Sequence, residues 1–259
     1  MSTRLVATLS LIAALVIASD GRAQQNRPAL HSASEYLSED MRAEQYDDAR
    51  NRAMLWVDLG EAIWNEPAGQ SGKSCSSCHG AAALLKGVAA RYPRIDAASG
   101  RLVNLEGRIN QCRVDRQKAT ALAFETNELL GLTAMIARHS RGMPVDVDTG
   151  GPAQSYLEAG RRFWTTRQGQ MNLSCAQCHD DKVGRKLRGD TISSGLGTGY
   201  PAYRLEWQGM GSLHRRLRAC QIGVRAIPFE QGAAEYLALE LYLAWRAKGT
   251  LLDAPALRR

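Results

Sequence analysis

The chain has 259 residues and a formal net charge of +7, with 44% hydrophobic and 6% aromatic residues. This length and apolar content are sufficient for two domains with modest cores. The moderate positive charge suits an acidic partner or an anionic substrate but is not diagnostic of either. The sequence contains no nucleic-acid-binding motif, so we expect no nucleic-acid partner.

The N-terminus has the pattern of a bacterial signal peptide. Arg4 supplies a basic start, residues 5–19 are mostly small and apolar, and Gly21 and Ala23 provide small residues for a cleavage site. The apolar run is shorter than the roughly 20 residues that a membrane-spanning helix needs. We therefore expect a mature chain that begins near Gln24, is exported to the periplasm and has no membrane span.

Two short motifs have the form CxxCH. In this motif the two thiols bind the vinyl groups of a haem as thioethers, and the histidine becomes the proximal ligand of the iron. A redox CxxC motif would lie in a βαβ context, and a zinc site would leave the two histidines unexplained. The sequence therefore predicts two covalently bound haem c groups. The motif residues are Cys75, Cys78 and His79 in the first copy and Cys175, Cys178 and His179 in the second.

The two motifs belong to a longer internal repeat. A glycine and a tryptophan precede the first cysteine of each motif at the same two intervals, and a Tyr-Pro pair precedes a later, isolated cysteine at an interval that is also equal in the two copies. Apolar residues at i, i+3 and i+7 then follow in both copies and predict the buried face of a closing helix. The matched sets are Gly60, Trp64, Tyr92, Pro93, Cys112, Leu129, Leu132 and Ile136, and Gly160, Trp164, Tyr200, Pro201, Cys220, Tyr236, Leu239 and Leu243.

Each copy has the order of a small cytochrome c domain, with a helix, a haem motif, a loop, an isolated cysteine and a closing helix. We predict an all-α fold of two tandem cytochrome c-like domains related by pseudo-symmetry. Short β-branched pieces such as Ile222 and Val224 are the exceptions, and Pro228 fits the first turn of the second closing helix. The expected segments are a signal peptide at 1–23, an N-terminal arm at 24–47, domain 1 at 48–142, a linker at 143–152 and domain 2 at 153–259.

Cys112 and Cys220 lie outside the CxxCH motifs, at corresponding positions of the repeat. The periplasm favours disulfides, but corresponding positions in two domains meet only on the pseudo-symmetry axis. A role repeated at each haem explains the placement better, so we predict that each thiolate is the distal ligand of its iron. A disulfide and a free thiol are the alternatives.

Methionine is the usual distal ligand of electron-transfer cytochromes, so four methionines are also candidates. Met135 lies among apolar residues of a helix, and Met171 precedes its own haem motif. Met143 and Met210 have no counterparts in the repeat. Thiolate ligation would stabilise ferric iron and lower the reduction potential, which indicates a specialised role rather than general electron transfer.

The two copies differ in the charge around the isolated cysteine. Cys220 follows the stretch HRRLRA, whereas Cys112 follows LEGRINQ, in which Arg108 is the single arginine. Guanidinium groups favour a thiolate and bind oxyanions through two hydrogen bonds, so this patch is suited to holding an anion against the Cys220 sulfur. Arg216, one helical turn before Cys220, is the main candidate. A solvated basic face or a docking patch for an acidic protein is the alternative.

Other basic residues have different expected roles. Arg246 and Lys248, at the end of the closing helix, are candidates to reach the same space as Arg216. A surface docking patch is expected from Lys182, Arg185, Lys186 and Arg188.

A periplasmic dihaem cytochrome with the second motif and a distal cysteine in the stretch RLRAC resembles the SoxA family, the catalytic subunits of the SoxAX cytochromes of bacterial thiosulfate oxidation. The resemblance covers essentially the whole mature chain. It implies an L-cysteine S-thiosulfotransferase that joins thiosulfate oxidatively to a cysteine of the carrier SoxYZ. The product would be a cysteine-S-thiosulfonate, and two electrons would leave through the haem of SoxX, the partner in a heterodimer.

The resemblance also implies roles for individual residues. Cys220 would be the distal ligand of the active-site haem and would carry a persulfide during catalysis. Arg216 would bind the substrate, with Arg246 as the expected second arginine. Some SoxA proteins have a disulfide in place of the first haem, but this chain keeps the full first motif and Cys112, which implies the dihaem form.

Two other classes of function are consistent with the sequence. A dihaem electron-transfer cytochrome would dock an acidic redox partner through its basic face and would transfer no sulfur. A different dihaem enzyme is the second class: a thiosulfate dehydrogenase would make tetrathionate without a carrier, and a peroxidase would need an open position on an iron.

Overall fold

A computed structural model describes residues 30–259, of which residues 31–259 form one compact unit. The predicted signal peptide and residues 24–29 of the predicted arm lie outside the described residues. Within the described part of the chain, no helix is both long enough and apolar enough to cross a membrane.

Helices dominate the described residues, as predicted, and short strands accompany them. The α-helices are α1 (Glu39–Tyr46), α2 (Met54–Asn65), α3 (Ser76–His79), α4 (Leu105–Cys112), α5 (Asn127–Arg138), α6 (Ala153–Thr165), α7 (Cys175–His179), α8 (Leu213–Gly223) and α9 (Ala234–Arg246). The strands are β1 (Arg94–Ile95), β2 (Leu102–Val103), β3 (Lys186–Leu187), β4 (Asp190–Thr191), β5 (Ala202–Arg204), β6 (Gly209–Gly211) and β7 (Ala256–Arg258). Short 3-10 helices lie at Ala33–Tyr36, Ala82–Leu85 and Ala89–Arg91, and a π-helical turn lies at Arg113–Gln117.

The strands are a departure from the all-α fold that we predicted. β5 pairs with β6 in antiparallel fashion and with the C-terminal strand β7 in parallel, which makes a three-stranded sheet. Ile222 and Val224, expected to be strand-like, instead lie in α8 and directly after it. Pro228 lies in the loop before α9, which begins at Ala234 rather than at the proline. Backbone pairing, which is local in the hairpins and long-range between β5 and β7, determines where these strands form, rather than β-branched side chains.

Close helix pairs form the core of each half of the chain. α2 packs on α5, and α6 packs on α9. The six apolar residues predicted to line the closing helices are at most 5% exposed. A Cβ atom on Gly60 would lie 2.2 Å from the carbonyl oxygen of Gly131, and one on Gly160 would lie 2.1 Å from that of Ala238. The glycines therefore allow the same close backbone approach in both halves.

The segment predicted as a linker is tied to residues near the C-terminus. The Val145 N–H donates to the Thr250 carbonyl, and the Leu252 N–H donates to the Met143 carbonyl. Val145 and Val147 are 4% and 1% exposed. The turn-forming composition thus marks the passage between the halves, but the segment itself is firmly packed.

The predicted N-terminal arm also packs on the C-terminal strand. Gln45 of α1 is fully buried, and its side-chain oxygen accepts hydrogen bonds from the Leu257 N–H at 3.2 Å and from Arg258 at 2.5 Å. The Asn51 side-chain amide donates to the carbonyl groups of Gln45 and Pro255. These contacts hold β7 in place beside β5.

Candidate functional site

All six cysteines lie in the described part of the chain, and all are free thiols. Cys112 and Cys220 therefore do not form the disulfide considered above. Burial and the nearby Cys220 raise the pKa of Cys175 to about 12 and also raise that of Cys178. Burial raises the pKa of Cys75 too, with a contribution from Cys112. Each isolated cysteine is thus close to the motif of its own half.

A serine directly before each CxxCH motif makes a reciprocal pair of hydrogen bonds with the short helix. The Ser74 hydroxyl accepts from the Ser77 N–H, and the Ser77 hydroxyl accepts from the Ser74 N–H in return. Ser174 and Gln177 make the same pair of bonds in the second motif, as a capping box. These bonds hold the two cysteines of each motif one helical turn apart, as attachment to a haem requires. Sequence reasoning overlooked the serines, although their position before each motif is visible.

A tryptophan packs against each motif histidine with its ring tilted. The ring centroids are 5.7 Å apart for Trp64 and His79 and 5.8 Å apart for Trp164 and His179. The Trp64 indole donates to the carbonyl of the residue after His79, and the Trp164 indole donates to the side chain of Asp180, the residue after His179. The tryptophans found in the sequence repeat therefore orient the predicted proximal ligands.

His179 has the setting of an iron ligand. Its Nδ1 lies 2.8 Å from the carbonyl oxygen of Ser193, so Nδ1 carries a proton and Nε2 is left as the ligand atom. The Cys220 side chain is close enough to this ring for His179 to affect its pKa, so the predicted proximal and distal ligands are neighbours. These residues fit a haem c, which Cys175 and Cys178 would attach and which would supply one-electron chemistry when bound.

Cys220 differs from Cys112 in its electrostatic surroundings. Burial raises the pKa of Cys220, but the neighbouring His179 side chain and the positive charges of Arg216 and Arg204 bring it below its ordinary value. Burial also raises the pKa of Cys112, and nearby arginines do not reverse that shift. Of the two isolated cysteines, Cys220 is the one that these surroundings favour as a thiolate.

Of the three arginines of α8, one is placed to act on Cys220. Arg215 stacks 4.3 Å from the ring centroid of Trp207, and Arg218 donates to a loop carbonyl. Arg216 lies one turn before Cys220, and the Cys220 thiolate is the main reason that its pKa is raised. Sequence spacing had predicted this residue as the anion ligand, and the structure brings it together with the sulfur.

A different arginine from the expected one affects the pKa of Cys220 together with Arg216. Arg246 is stacked 4.5 Å from the ring centroid of Trp164, and its Nη2 lies 2.6 Å from Asp180. Its predicted role in substrate binding stays a prediction. Arg204 in β5 is only 6% exposed, and its charge acts on Cys220. Arg204 lies 16 residues before Cys220, and the sequence did not indicate this effect.

The other basic residues singled out in the sequence lie on the surface. Lys248 forms a 3.0 Å ion pair with Asp146. The predicted docking patch, Lys182, Arg185, Lys186 and Arg188, is exposed on and around the β3–β4 hairpin.

The methionines considered as distal ligands have other surroundings. Met135 and Met210 are core residues with exposures of 0% and 2%. Met171 is 51% exposed. Met143 lies against Gly87, where a Cβ would be 3.2 Å from its sulfur. Packing on Gly87 explains the position of Met143, and packing in the core explains those of Met135 and Met210. These positions agree with the prediction that cysteine is the distal ligand.

A buried acidic cluster connects the helices that carry the isolated cysteines. Glu106 of α4 and Glu240 of α9 line a cavity of about 80 Å³ formed by residues of both halves. The side chains of Asn104 and His214 bind Glu240 at 3.1 and 3.0 Å. The Gly232 N–H donates to His214 Nδ1, so the imidazole proton lies on Nε2 and is donated to Glu240. Burial and the Glu240 charge raise the pKa of Glu106 from 4.5 to about 7.

Glu106→Gln is expected to make the protein more stable at alkaline pH. Because folding raises the pKa of Glu106, its contribution to stability is complete below pH 4.5 and is lost as the pH rises through about 7. At pH 8 the variant should gain on the order of 3 kcal/mol in the free energy of unfolding over the wild type. Urea denaturation at pH 5 and pH 8 measures this difference. The exposed Glu61→Gln is the control, and an equal effect of both substitutions would contradict the prediction.

Comparisons with known proteins agree on one family. The SoxA/TsdA cytochrome c domain matches residues 59–145 and 159–252. The L-cysteine S-thiosulfotransferase subunit SoxA of Rhodovulum sulfidophilum is 38% identical over 224 residues, which cover 86% of this chain and 78% of that protein. The subunit of the same name from Pseudaminobacter salicylatoxidans is 40% identical over 220 residues, or 84% and 77% of the two chains.

A solved structure supports the same relationship. The crystal structure of SoxXA from P. pantotrophus matches with a TM-score of 0.88 at 33% identity, and the match covers 92% of this chain and 90% of that chain. The chain therefore belongs to the SoxA/TsdA cytochrome c family, and its similarity along most of its length is to SoxA subunits.

Proposed function

We propose that this chain is the catalytic subunit of a SoxAX-type L-cysteine S-thiosulfotransferase, which joins thiosulfate oxidatively to a cysteine of a SoxYZ-type carrier. The observation that carries the proposal is the setting of Cys220. This half-buried cysteine lies one helical turn after Arg216, and its pKa is held below the ordinary value, against the effect of burial, by His179, Arg216 and Arg204. A simple electron carrier does not need an anion-binding patch at a distal ligand.

The chemistry of thiosulfate matches this setting. Thiosulfate is a dianion with oxygens at one end and a terminal sulfur at the other. Arginine hydrogen bonds to the oxygens would direct the terminal sulfur to Cys220, the predicted site of the persulfide. In the net reaction a bond forms between the terminal sulfur and the carrier sulfur, the carrier thiol loses its proton, and two electrons leave. Haem groups would take up these electrons one at a time and pass them to a partner cytochrome.

We infer that the chain carries two haem c groups in two cytochrome c domains, at 48–142 and 153–259, related by pseudo-symmetry. Three features that occur in both halves support this inference. They are the hydrogen bonds of the serine before each motif, the contact between each motif histidine and a tryptophan, and the close approach of two helices at a glycine. The ligand atoms would come from His79 and Cys112 in the first domain and from His179 and Cys220 in the second.

We also propose a SoxX-type cytochrome as the partner in a heterodimer and the periplasm as the location. The similarity to a solved SoxXA structure supports the partner. The signal-peptide pattern of the first 23 residues supports the location.

The proposal is tested with the purified haem-loaded heterodimer, thiosulfate and the carrier. We expect the carrier cysteine to gain the mass of one thiosulfate group while the haem absorbance shows reduction. An added mass of about 32 Da on the Cys220 peptide would identify the persulfide. Tetrathionate formed without the carrier would instead indicate a thiosulfate dehydrogenase. Electron exchange without any sulfur product, lost on charge reversal of Lys182 and Arg188, would indicate an electron-transfer cytochrome.

A further inference from the structure

The loops before the two isolated cysteines have the same backbone structure. In the first half Arg94 pairs with Val103, and the Asp96 N–H donates to the Arg101 carbonyl. In the second half Ala202 pairs with Gly211 and Arg204 pairs with Gly209, at one constant offset from the four residues of the first half. The helices that follow are capped alike, by Asn104 and Ser212. A residue in one hairpin can therefore be matched to its counterpart in the other.

In the first half an ion pair joins the hairpin to the helix that carries Cys112. Arg108, one helical turn before Cys112, donates to Asp96 at 2.6 Å, and the Asp96 side chain is only 10% exposed. Hydrogen bonds from Ser99 and Arg108 lower the pKa of Asp96 to about 2, so its carboxylate stays charged. The guanidinium beside Cys112 is thereby neutralised.

In the second half the carboxylate is replaced by another arginine. Arg216 corresponds to Arg108, and the counterpart of Asp96 is Arg204. Arg204 is 6% exposed, and its buried Nε has no hydrogen-bond partner among the described residues. Its guanidinium lies 5.2 Å from the ring centroid of Trp207, and its Nη2 has one long polar contact, 3.4 Å, to Glu206, whose side chain is 63% exposed.

Two guanidinium groups without a buried counter-charge make an unfavourable arrangement unless an anion binds. Like charges at these positions repel each other, and a buried donor without an acceptor costs free energy. An oxyanion with several oxygens would remove both costs, since it accepts hydrogen bonds from each guanidinium fork. A neighbouring thiolate would remove only part of these two costs, because sulfur is a weak hydrogen-bond acceptor.

We propose that Arg204 is a second substrate-binding residue, which with Arg216 holds the sulfonate oxygens of thiosulfate beside Cys220. The replacement of Asp96 by Arg204 at the matched position is what converts a neutral structural ion pair into an anion site. This inference rests on the proposed function, since it takes thiosulfate as the substrate. A haem propionate is the other carboxylate or sulfonate group that two arginines could hold, and the test separates the two.

The test measures thiosulfate binding to the oxidised, haem-loaded heterodimer by calorimetry, without the carrier, so that no turnover occurs. Arg204→Gln should weaken binding about 10- to 100-fold, the range for a hydrogen bond to a charged group. Arg204→Asp, which restores the ion pair of the first half, should weaken binding at least as much. Arg204→Lys should recover part of the affinity, and it serves as the informative variant if Arg204→Gln does not fold.

Arg218→Gln is the matched control, because Arg218 donates to the Phe229 carbonyl and pairs with Glu230, so its loss should leave thiosulfate binding unchanged. Wild-type affinity in all the Arg204 variants would overturn this inference. The same holds if their affinity is unchanged while the haem midpoint potential shifts, which would indicate a propionate contact. A wild type that neither binds thiosulfate nor conjugates it would instead overturn the proposed function.

Discussion

Replacing Cys220 with alanine is expected to reduce conjugation of thiosulfate to the carrier by at least about a thousandfold, because the proposed reaction takes place at its sulfur. Haem attachment should be unaffected, since the thioether bonds would use Cys175 and Cys178. The measurement is the initial rate of carrier modification by mass spectrometry, with the ratio of haem to protein determined from absorbance.

Two further variants separate iron ligation from sulfur chemistry. Cys220→Met keeps a sulfur ligand but removes the thiol, so we expect it to be as inactive as Cys220→Ala. Cys112→Ala removes the corresponding cysteine of the first half and should retain most of the sulfur transfer, although electron transfer through that half would change. Conjugation at near wild-type rates in Cys220→Met would show that the thiol is not required.

Gly160→Ala is expected to destabilise the protein by roughly 3 kcal/mol or more, at the upper end of the cost of overpacking. The added Cβ would lie 2.1 Å from the Ala238 carbonyl oxygen and 2.7 Å from the Tyr242 Cβ, so α6 and α9 would have to separate. Neither neighbour is the flexible end of a side chain. The better helix propensity of alanine, about 1 kcal/mol, is too small to compensate.

Gly223→Ala is the matched control for this prediction. Gly223 also lies in a helix, but a Cβ there would meet no atom within 4 Å. It should therefore be neutral or slightly stabilising. Urea denaturation of the haem-loaded proteins gives the comparison. If Gly160→Ala unfolded at the same urea concentration as the wild type, close packing of α6 on α9 would not be essential.

The helices that carry Cys112 and Cys220, α4 and α8, have an arginine at the same position but in different surroundings. Arg108 and Arg216 occupy the same position before a cysteine, yet Arg108 is bound to Asp96 whereas Arg216 is directed at Cys220. In the sequence, the two copies differ in the number of arginines before the isolated cysteine. In the structure Arg215 and Arg218 have other partners, and the difference that we propose to matter is Arg204 at the position matched to Asp96.

The sequence by itself determined the features that depend on local chemistry and periodicity. A CxxCH motif needs only its own spacing to be identified, and the repeat identified the isolated cysteines, Cys112 and Cys220. The buried faces of the closing helices followed from the helical period, because that period alone decides which residues share a face. The resemblance to the SoxA family likewise rests on local motifs.

Tertiary structure decided the features that depend on contacts between distant segments. Arg204 is held in β5 by backbone pairing with Gly209 and with Arg258 near the end of the chain. Its charge acts on Cys220 through space, which the sequence did not indicate. The high pKa of Glu106 likewise depends on Glu240, which belongs to the other half of the chain. Charge and burial act through space, so the folded chain decides which arginine is neutralised, which one affects the pKa of Cys220 and which carboxyl group has a raised pKa.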